Sequence, residues 1–212
     1  AISKAEYIQK MWSYHNILFE YADFIQNTDV SALKITGGRV IADFKTFPIS
    51  LFVPRFDRRT PPIEALNFGE YESAYATAMV SAMKGQKVIF DVGANIGYYS
   101  VIAGATYPLA AVYSFEPTPE TYSERVANIE LNQLKNVYPN KLALSDREDK
   151  RELFYDREES GAASFCNIRE NDAIIPVSVK QVTMDSFAFE KGIFPDFIKC
   201  DVEGAEFLVF KG

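Results

Sequence analysis

From Ser3 to about Gln26, apolar residues recur at three- and four-residue steps: Ile8, Met11, Trp12, Leu18, Phe19, Ala22 and Ile25. That spacing predicts a helix with one buried face. His15, the only histidine, falls on or beside the stripe, which assigns it to helix packing rather than catalysis. Leu33-Lys34-Ile35-Thr36 and Arg39-Val40-Ile41-Ala42 alternate around Gly37-Gly38, a hairpin signal. Phe47 to Val53 predicts a further strand, held at an edge by Pro48 and Pro54. Pro61-Pro62 then mark the expected boundary between an N-terminal helix-plus-hairpin appendage, residues 1–62, and a core, residues 63–212.

The core alternates strands and helices. Ile63 to about Met83 predicts one helix, closed by Gly85. Val88–Val92 reads as a strand, Tyr98 to Thr106 as a helix, and Val112 to Glu116 as a second strand. Thr121 to Leu134 follows as a helix with a face marked by Val126, Ile129 and Leu134, and Asn136 to Leu144 as a third strand closed by Ser145-Asp146. The charged stretch Arg147 to Ser160 predicts an exposed strand or hairpin around Leu153-Phe154-Tyr155, with a small-residue loop after it at Ser160-Gly161-Ala162-Ala163-Ser164. Val177 to Val182 is a strand, Asp185 to Phe189 a short helix, Asp196 to Asp201 a fourth core strand, and Glu203 to Lys211 the start of another helix. The alternation predicts an α/β fold: right-handed crossovers and a parallel sheet flanked by helices, with ligands at the carboxyl ends of the strands.

Composition narrows the partners. The 212 residues are 48% hydrophobic and 24% charged, a globular balance with length enough for a sizeable core. A net charge of −7 repels phosphate backbones and anionic lipid, so neither nucleic acid nor a membrane surface is expected as a partner. Cys166 and Cys200 show no metal-ligand or redox spacing, and Cys200 lies in an apolar strand pattern, as a small buried hydrophobe would. No apolar run approaches the ~20 residues of a membrane span. A cytoplasmic protein is the expectation.

The chemistry concentrates where strands end. Asp91-Val92-Gly93-Ala94-Asn95-Ile96-Gly97 puts an acid at a strand end and a two-glycine turn before a helix, suited to close approach of a ligand and to an anionic group at the helix start. The dinucleotide fingerprint fits poorly, because Asn95 stands where a middle glycine could be and no third glycine is in register. The stretch resembles the first motif of class I S-adenosylmethionine-dependent methyltransferases, and more narrowly the FkbM family. Two further stretches carry that resemblance: Phe115-Glu116-Pro117-Thr118-Pro119 and Ile198-Lys199-Cys200-Asp201-Val202-Glu203-Gly204-Ala205-Glu206. Gly69-Glu70-Tyr71-Glu72 upstream and Val182-Thr183-Met184-Asp185-Ser186-Phe187 between them follow the same order.

The resemblance implies a Rossmann-like class I methyltransferase fold, whose sheet has seven strands in the order 3-2-1-4-5-7-6. This chain supplies four and stops, so either another copy of the chain or an additional C-terminal segment is expected to cover the open edge. It also implies S-adenosylmethionine as cofactor, with Asp91 on its ammonium, the turn Gly93, Ala94, Asn95 and Gly97 on its carboxylate, and Glu116 on its ribose hydroxyls. Glu72 is expected to contact the cofactor, Ala143 and Ser145 its adenine, and the loop at Ser160–Ser164 is expected to face the ligand side.

Asp201, Glu203 and Glu206 are the candidate catalytic acids, since a base is needed for an acceptor proton and the one histidine is remote in sequence. Clustered oxygens would suit magnesium or calcium too, but the spacing gives no second ligand set, so no metal is expected. The arginines Arg55, Arg58 and Arg59 are either a solvated loop or a clamp for an anionic group. The function implied is O-methylation of a hydroxyl on a small-molecule or glycan acceptor. A non-catalytic cofactor-binding or assembly module and a nicotinamide-dependent dehydrogenase are the alternatives.

Overall fold

The computed structural model describes residues 2–156, 158 and 174–212; the Ser160–Ser164 loop and Cys166 lie outside the described residues. Helix α1 (Lys4–Phe24) opens with a reciprocal cap, in which Glu6 N–H donates to Ser3 Oγ at 3.3 Å and Ser3 N–H donates to the Glu6 carboxylate at 2.6 Å. The helix is where the pattern put it, but its face is not buried. None of its residues is buried, Trp12, Leu18 and Phe19 are each more than half exposed, and His15 is exposed with them. Periodicity marks a face that could be covered; it does not say that a neighbouring element of the same chain covers it.

Strands β1 (Val30–Thr36), β2 (Arg39–Phe44) and β3 (Ser50–Val53) form an antiparallel sheet in chain order, with β3 at an edge as the flanking prolines predict. Gly37 and Gly38, at φ 55° and 77°, make the two-residue turn that pairs Thr36 with Arg39. The single helix expected over 63–83 is two, α2 (Pro61–Phe68) and α3 (Ser73–Ala82). Gly69 at φ 91° and Glu72 at φ 45° are left-handed, and a right-handed helix cannot run through them. Pro61 and Pro62 open α2 and are buried.

The core follows as β4 (Val88–Val92), α4 (Tyr98–Thr106), β5 (Ala111–Phe115), α5 (Pro119–Leu131), β6 (Val137–Asn140), β7 (Ala143–Leu144), β8 (Asp149–Asp156), β9 (Ile174–Val182), α6 (Met184–Lys191), β10 (Phe197–Cys200) and α7 (Glu206–Lys211). Four of these strands build a parallel sheet in the order β10-β4-β5-β6, as the crossover spacing requires. The third strand is shorter than expected. At Asn140 its carbonyl accepts both the Glu116 N–H, at 3.2 Å, and Arg125 Nη2, at 2.9 Å. Beyond that point the chain leaves the sheet, and β7 pairs with β9 in a separate three-stranded sheet of order β7-β9-β8. The charged stretch before the loop is a full strand of that sheet, with Leu153 and Tyr155 buried.

The antiparallel sheet shares a core with the parallel one. Val30, Phe44 and Leu51 pack in one cluster with Ile89, Ile102 and Val112. The residues that α5 buries are mostly not the apolar ones expected: Thr121, Arg125 and Asn128 are buried beside Ile129. Of these, Arg125 donates to the Asn140 carbonyl of β6, and Asn128 bonds strand β3 and the turn after β4. Asn128 Oδ1 accepts the Phe52 N–H at 2.8 Å while Nδ2 donates to the Ile96 carbonyl at 2.8 Å, and Asn132 bonds both the N–H and the carbonyl of Ser50. Two asparagine side chains thus stand in for a neighbouring strand. No helix among the described residues is long and apolar enough to cross a membrane.

Asn128→Ala leaves the Phe52 N–H and the Ile96 carbonyl without partners. It should cost about 2–6 kcal/mol in urea unfolding, at ~1–3 kcal/mol per stranded group. Arg39→Ala, which removes the half-exposed Arg39–Glu124 ion pair, should cost less than about 1 kcal/mol by its charge alone, plus the packing of the guanidinium on Phe52.

Candidate active site

A cleft opens at the carboxyl ends of β4, β5 and β10, the position expected of a ligand site in a parallel sheet. One wall is the turn from Gly93 to Ile96; another is Phe115, Glu116 and Pro117; a third is Leu142, Ala143 and Leu144; and Lys199, Asp201 and Glu203 close it from β10. The three sequence motifs therefore meet in one place. Arg59, Pro61 and Tyr71 from the N-terminal third also line it. Arg59 Nε is paired with Glu64 at 2.6 Å.

Gly93 is the tightest point. It has φ +72°, and a Cβ there would lie 1.9 Å from the Asp201 carbonyl oxygen. The absence of a side chain lets the end of β10 pass directly against the turn, so this glycine serves strand-to-strand approach as much as any ligand. Gly97, at φ +92°, is not in the cleft wall, and a Cβ on it would meet Arg125 Cγ at 2.8 Å. Asn95 takes the left-handed conformation at φ 48° that asparagine tolerates, and its Oδ1 accepts the Ile96 N–H at 2.6 Å.

The expectation that the turn offers free N–H groups to an anion is corrected. Gly93 and Ala94 N–H donate to the Phe115 carbonyl, Asn95 N–H to Glu116 Oε2, Ile96 N–H to Asn95 Oδ1, and Gly97 N–H to the Ala94 carbonyl. Every N–H from Gly93 to Gly97 has a partner inside the chain. The donors of this region that have no intrahelical acceptor are those of the first turn of α4, which begins at Tyr98.

Glu116 is almost buried yet lines the cleft. Its Oε1 accepts the Thr118 N–H at 3.0 Å and the Thr118 hydroxyl at 2.7 Å, and Oε2 holds Asn95, so it ties β5 to the turn and keeps its remaining acceptor capacity on Oε2. Asp91 lies behind the turn, outside the cleft wall and 1% exposed; its Oδ2 accepts the Ser100 hydroxyl at 2.5 Å. Glu72 is also off the wall, where its carboxylate accepts the Tyr99 hydroxyl. Burial first, and Glu72 next, push the Tyr99 phenol well above its ordinary pKa, so it stays protonated as a donor.

Of the adenine candidates, Ala143 is in the wall. Ser145 is fully buried and its N–H donates to the Val182 carbonyl. Of the acids, Asp201 and Glu203 face the cleft, and the Asp201 side chain is 63% exposed. Glu206 does not reach it: Oε1 accepts the N–H groups of Val202 and Gly204, and backbone N–H bonds, its own first, hold its carboxyl below the ordinary range. Cys200 is half-buried, its thiol pushed up to about 11 by desolvation. Among the described residues no group of three His, Cys, Asp or Glu side chains is arranged to hold a metal ion.

Lys199 and Arg125 are the functional-region cations that sequence reasoning passed over. Lys199 stands inside an apolar strand, a signal that could have found it; Arg125 is fully buried beneath the turn, desolvation lowering its pKa to about 10. Nothing in the helical pattern of α5 marks that position.

Gly93→Ala should be destabilised by about 2–5 kcal/mol, from a left-handed alanine and the clash with the Asp201 carbonyl together. Thermal and urea unfolding measure it. A variant as stable as the parent would mean that β10 does not press on this turn.

The FkbM methyltransferase domain family matches residues 91–212, more than half of the chain. A curated relative, Methyltransferase 1 of Beauveria bassiana, is 27% identical over 142 residues, covering 58% of this chain and 57% of the relative, so the chain spans little more than half of that protein's length. Among solved structures, TYW2 of M. jannaschii in complex with AdoMet is 20% identical with a TM-score of 0.32, covering 56% of this chain and 48% of that one. Trm5b of Pyrococcus abyssi is 18% identical with a TM-score of 0.37, covering 55% and 38%. With the family's motifs converging on one cleft of a Rossmann-like α/β fold, the chain belongs to the FkbM family of S-adenosylmethionine-dependent methyltransferases.

Proposed function

We propose that this chain binds S-adenosylmethionine in the β4–β5–β10 cleft and methylates a hydroxyl of a small-molecule or glycan acceptor. The observation that carries the reading is the convergence of the turn at Gly93–Ile96, Glu116, and the acids Asp201 and Glu203 at the carboxyl ends of adjacent parallel strands.

The cleft fits the cofactor in kind. Phe115, Pro117, Leu142 and Leu144 give an apolar slot for a flat base, and Glu116, which lines the cleft with acceptor capacity left on Oε2, suits a sugar hydroxyl. The carboxylates lining the cleft outnumber its cations: Glu116, Asp201 and Glu203 against Arg59 and Lys199. That balance suits a ligand with a net positive charge. When bound, the cofactor supplies a methyl group on a sulfonium sulfur, electrophilic enough that no further activation by the protein is needed.

What the chain contributes is alignment, worth ~7–11 kcal/mol in well-oriented cases, and a base. Asp201, at the end of β10 and open to solvent on the cleft side, is the group proposed to take the acceptor's hydroxyl proton on its carboxylate. Glu203 beside it is the alternative. Glu206, spent on the loop N–H groups, drops out of that role. Arg59, with its guanidinium held at the mouth by Glu64, offers a place for an anionic substituent of the acceptor. The net charge of −7 supports a small acceptor over a polyanion.

Glu116→Ala should weaken S-adenosylhomocysteine binding about 10–150-fold, the loss of charge-assisted hydrogen bonds worth ~1.5–3 kcal/mol, read by calorimetric titration. Unchanged affinity would remove the assignment. The acceptor is tested by methyl transfer from labelled cofactor to a panel of sugars, small hydroxy compounds and tRNA. With the acceptor so found, Asp201→Asn should lower turnover by about 10²-fold or more while cofactor affinity holds. Transfer to tRNA alone would replace the small-acceptor reading, and turnover that survives the change at Asp201 would move the base elsewhere.

A further inference from the structure

Lys199 occupies a position where a lysine is costly. It lies in β10 directly opposite Asp91 of β4 in the parallel ladder, and its side chain is 4% exposed. A buried ammonium is retained only where it is paired and hydrogen-bonded. Here the Nζ donates to the Gly93 carbonyl at 3.0 Å and stands 3.4 Å from Asp91 Oδ1, 3.7 Å from Asp201 Oδ2 and 5.2 Å from the centre of the Tyr99 ring. Burial alone would push its pKa down, but Asp91 and then Asp201 reverse that and raise it, so the group is an ammonium at neutral pH.

The partners of this one cation come from separate parts of the site. Gly93 begins the turn, Asp91 ends β4 behind it, and Asp201 is the cleft-facing acid on β10. Asp91 is also committed on its other oxygen, to the Ser100 hydroxyl at the start of α4. With Ser100 on one side and Lys199 on the other, Asp91 is turned away from the cleft, and its charge is balanced by an ammonium that belongs to the chain.

We propose that Lys199 is a positioning residue, an internal ammonium that holds the Gly93 carbonyl and Asp91 on the inner side and steers Asp201 on the cleft side, setting the cofactor turn and the acceptor-side acid relative to each other. This rests on the methyl-donor reading of the cleft. Asp91 then serves the turn through Lys199 rather than by direct contact with the cofactor.

Lys199→Met keeps the length of the side chain and removes its charge, but leaves Asp91 buried without a counter-ion, so the single variant should be strongly destabilised. The paired variant Asp91→Asn/Lys199→Met removes both charges and separates the roles. Its urea stability should return to near that of the parent, while its affinity for S-adenosylhomocysteine should stay about tenfold or more below the parent's, because the Gly93 carbonyl has lost the ammonium that holds the turn. Parent-like affinity in the paired variant would overturn the proposal, reducing Lys199 to a counter-ion for Asp91, and would leave the methyl-donor reading standing. A parent protein that does not bind S-adenosylhomocysteine would instead sink that reading. In that case amide resonances of the ligand-free proteins decide: shifts in the paired variant at both Gly93–Asn95 and Asp201–Glu203 support the tie, and shifts confined to the Gly93 side overturn it.

Discussion

The close passage of β10 against the turn after β4 is the constraint on which the rest of the site depends. A side chain at Gly93 would collide with the backbone of Asp201, so the two strands can end side by side only because that position has none. Once they do, an ammonium from β10 lies within reach of the turn's own carbonyl and of acids on both strands. The arrangement couples sterics to electrostatics: the approach that Gly93 permits buries Lys199, and burial in turn demands the carboxylates around it. A cleft with acids on its rim and a cation in its wall is the consequence.

Support for the turn reaches well beyond the motif. Glu116 grips Asn95 from β5, Arg125 fills the space beside Gly97 from α5, and Asn128 holds the Ile96 carbonyl with the same side chain that bonds Phe52 of β3. The antiparallel sheet is thereby hydrogen-bonded, through one asparagine, to the loop that faces the cleft. Changes in that sheet have a short physical route to the turn, two hydrogen bonds long.

Much of this was legible in the sequence. The alternation of short apolar runs with helical patterns gave the parallel sheet, and acids at the ends of Val88–Val92 and Val112–Glu116 marked where a ligand would sit. Gly37-Gly38 and the paired prolines placed the hairpin and its edge strand because those residues act through local backbone geometry, which a sequence states directly. What was not legible depended on tertiary partners. The face of α1 has the right period but no cover among the described elements. The break at Gly69–Glu72 looked like continuous helix because one of the two left-handed residues is a glutamate. Asp91 is visible in a sequence as a strand-end acid, whereas Lys199, 3.4 Å from it, becomes its neighbour only when β10 pairs with β4. The N–H groups of the turn looked free for the same reason, since Phe115, which accepts two of them, is more than twenty residues away in the chain.

Backbone strain points to the same region from independent geometry. Among the described residues, the non-glycine positions with positive φ are Glu72, Asn95, Gln133 and Glu203. Asn95 and Glu203 line the cleft, and Glu72 bonds the hydroxyl of Tyr99, which lines it too. A left-handed glutamate costs on the order of 1–3 kcal/mol and persists only where its surroundings over-determine it. For Glu72 that surrounding is visible: it caps the start of α3 while its carboxylate stays on Tyr99. Glu203 follows the crossing of β10 over Gly93, and its conformation turns the chain into α7 so that Glu206 can close the loop on Val202 and Gly204. Strain at Glu203 is thus the backbone counterpart of the burial of Lys199, both arising where β10 ends against the turn.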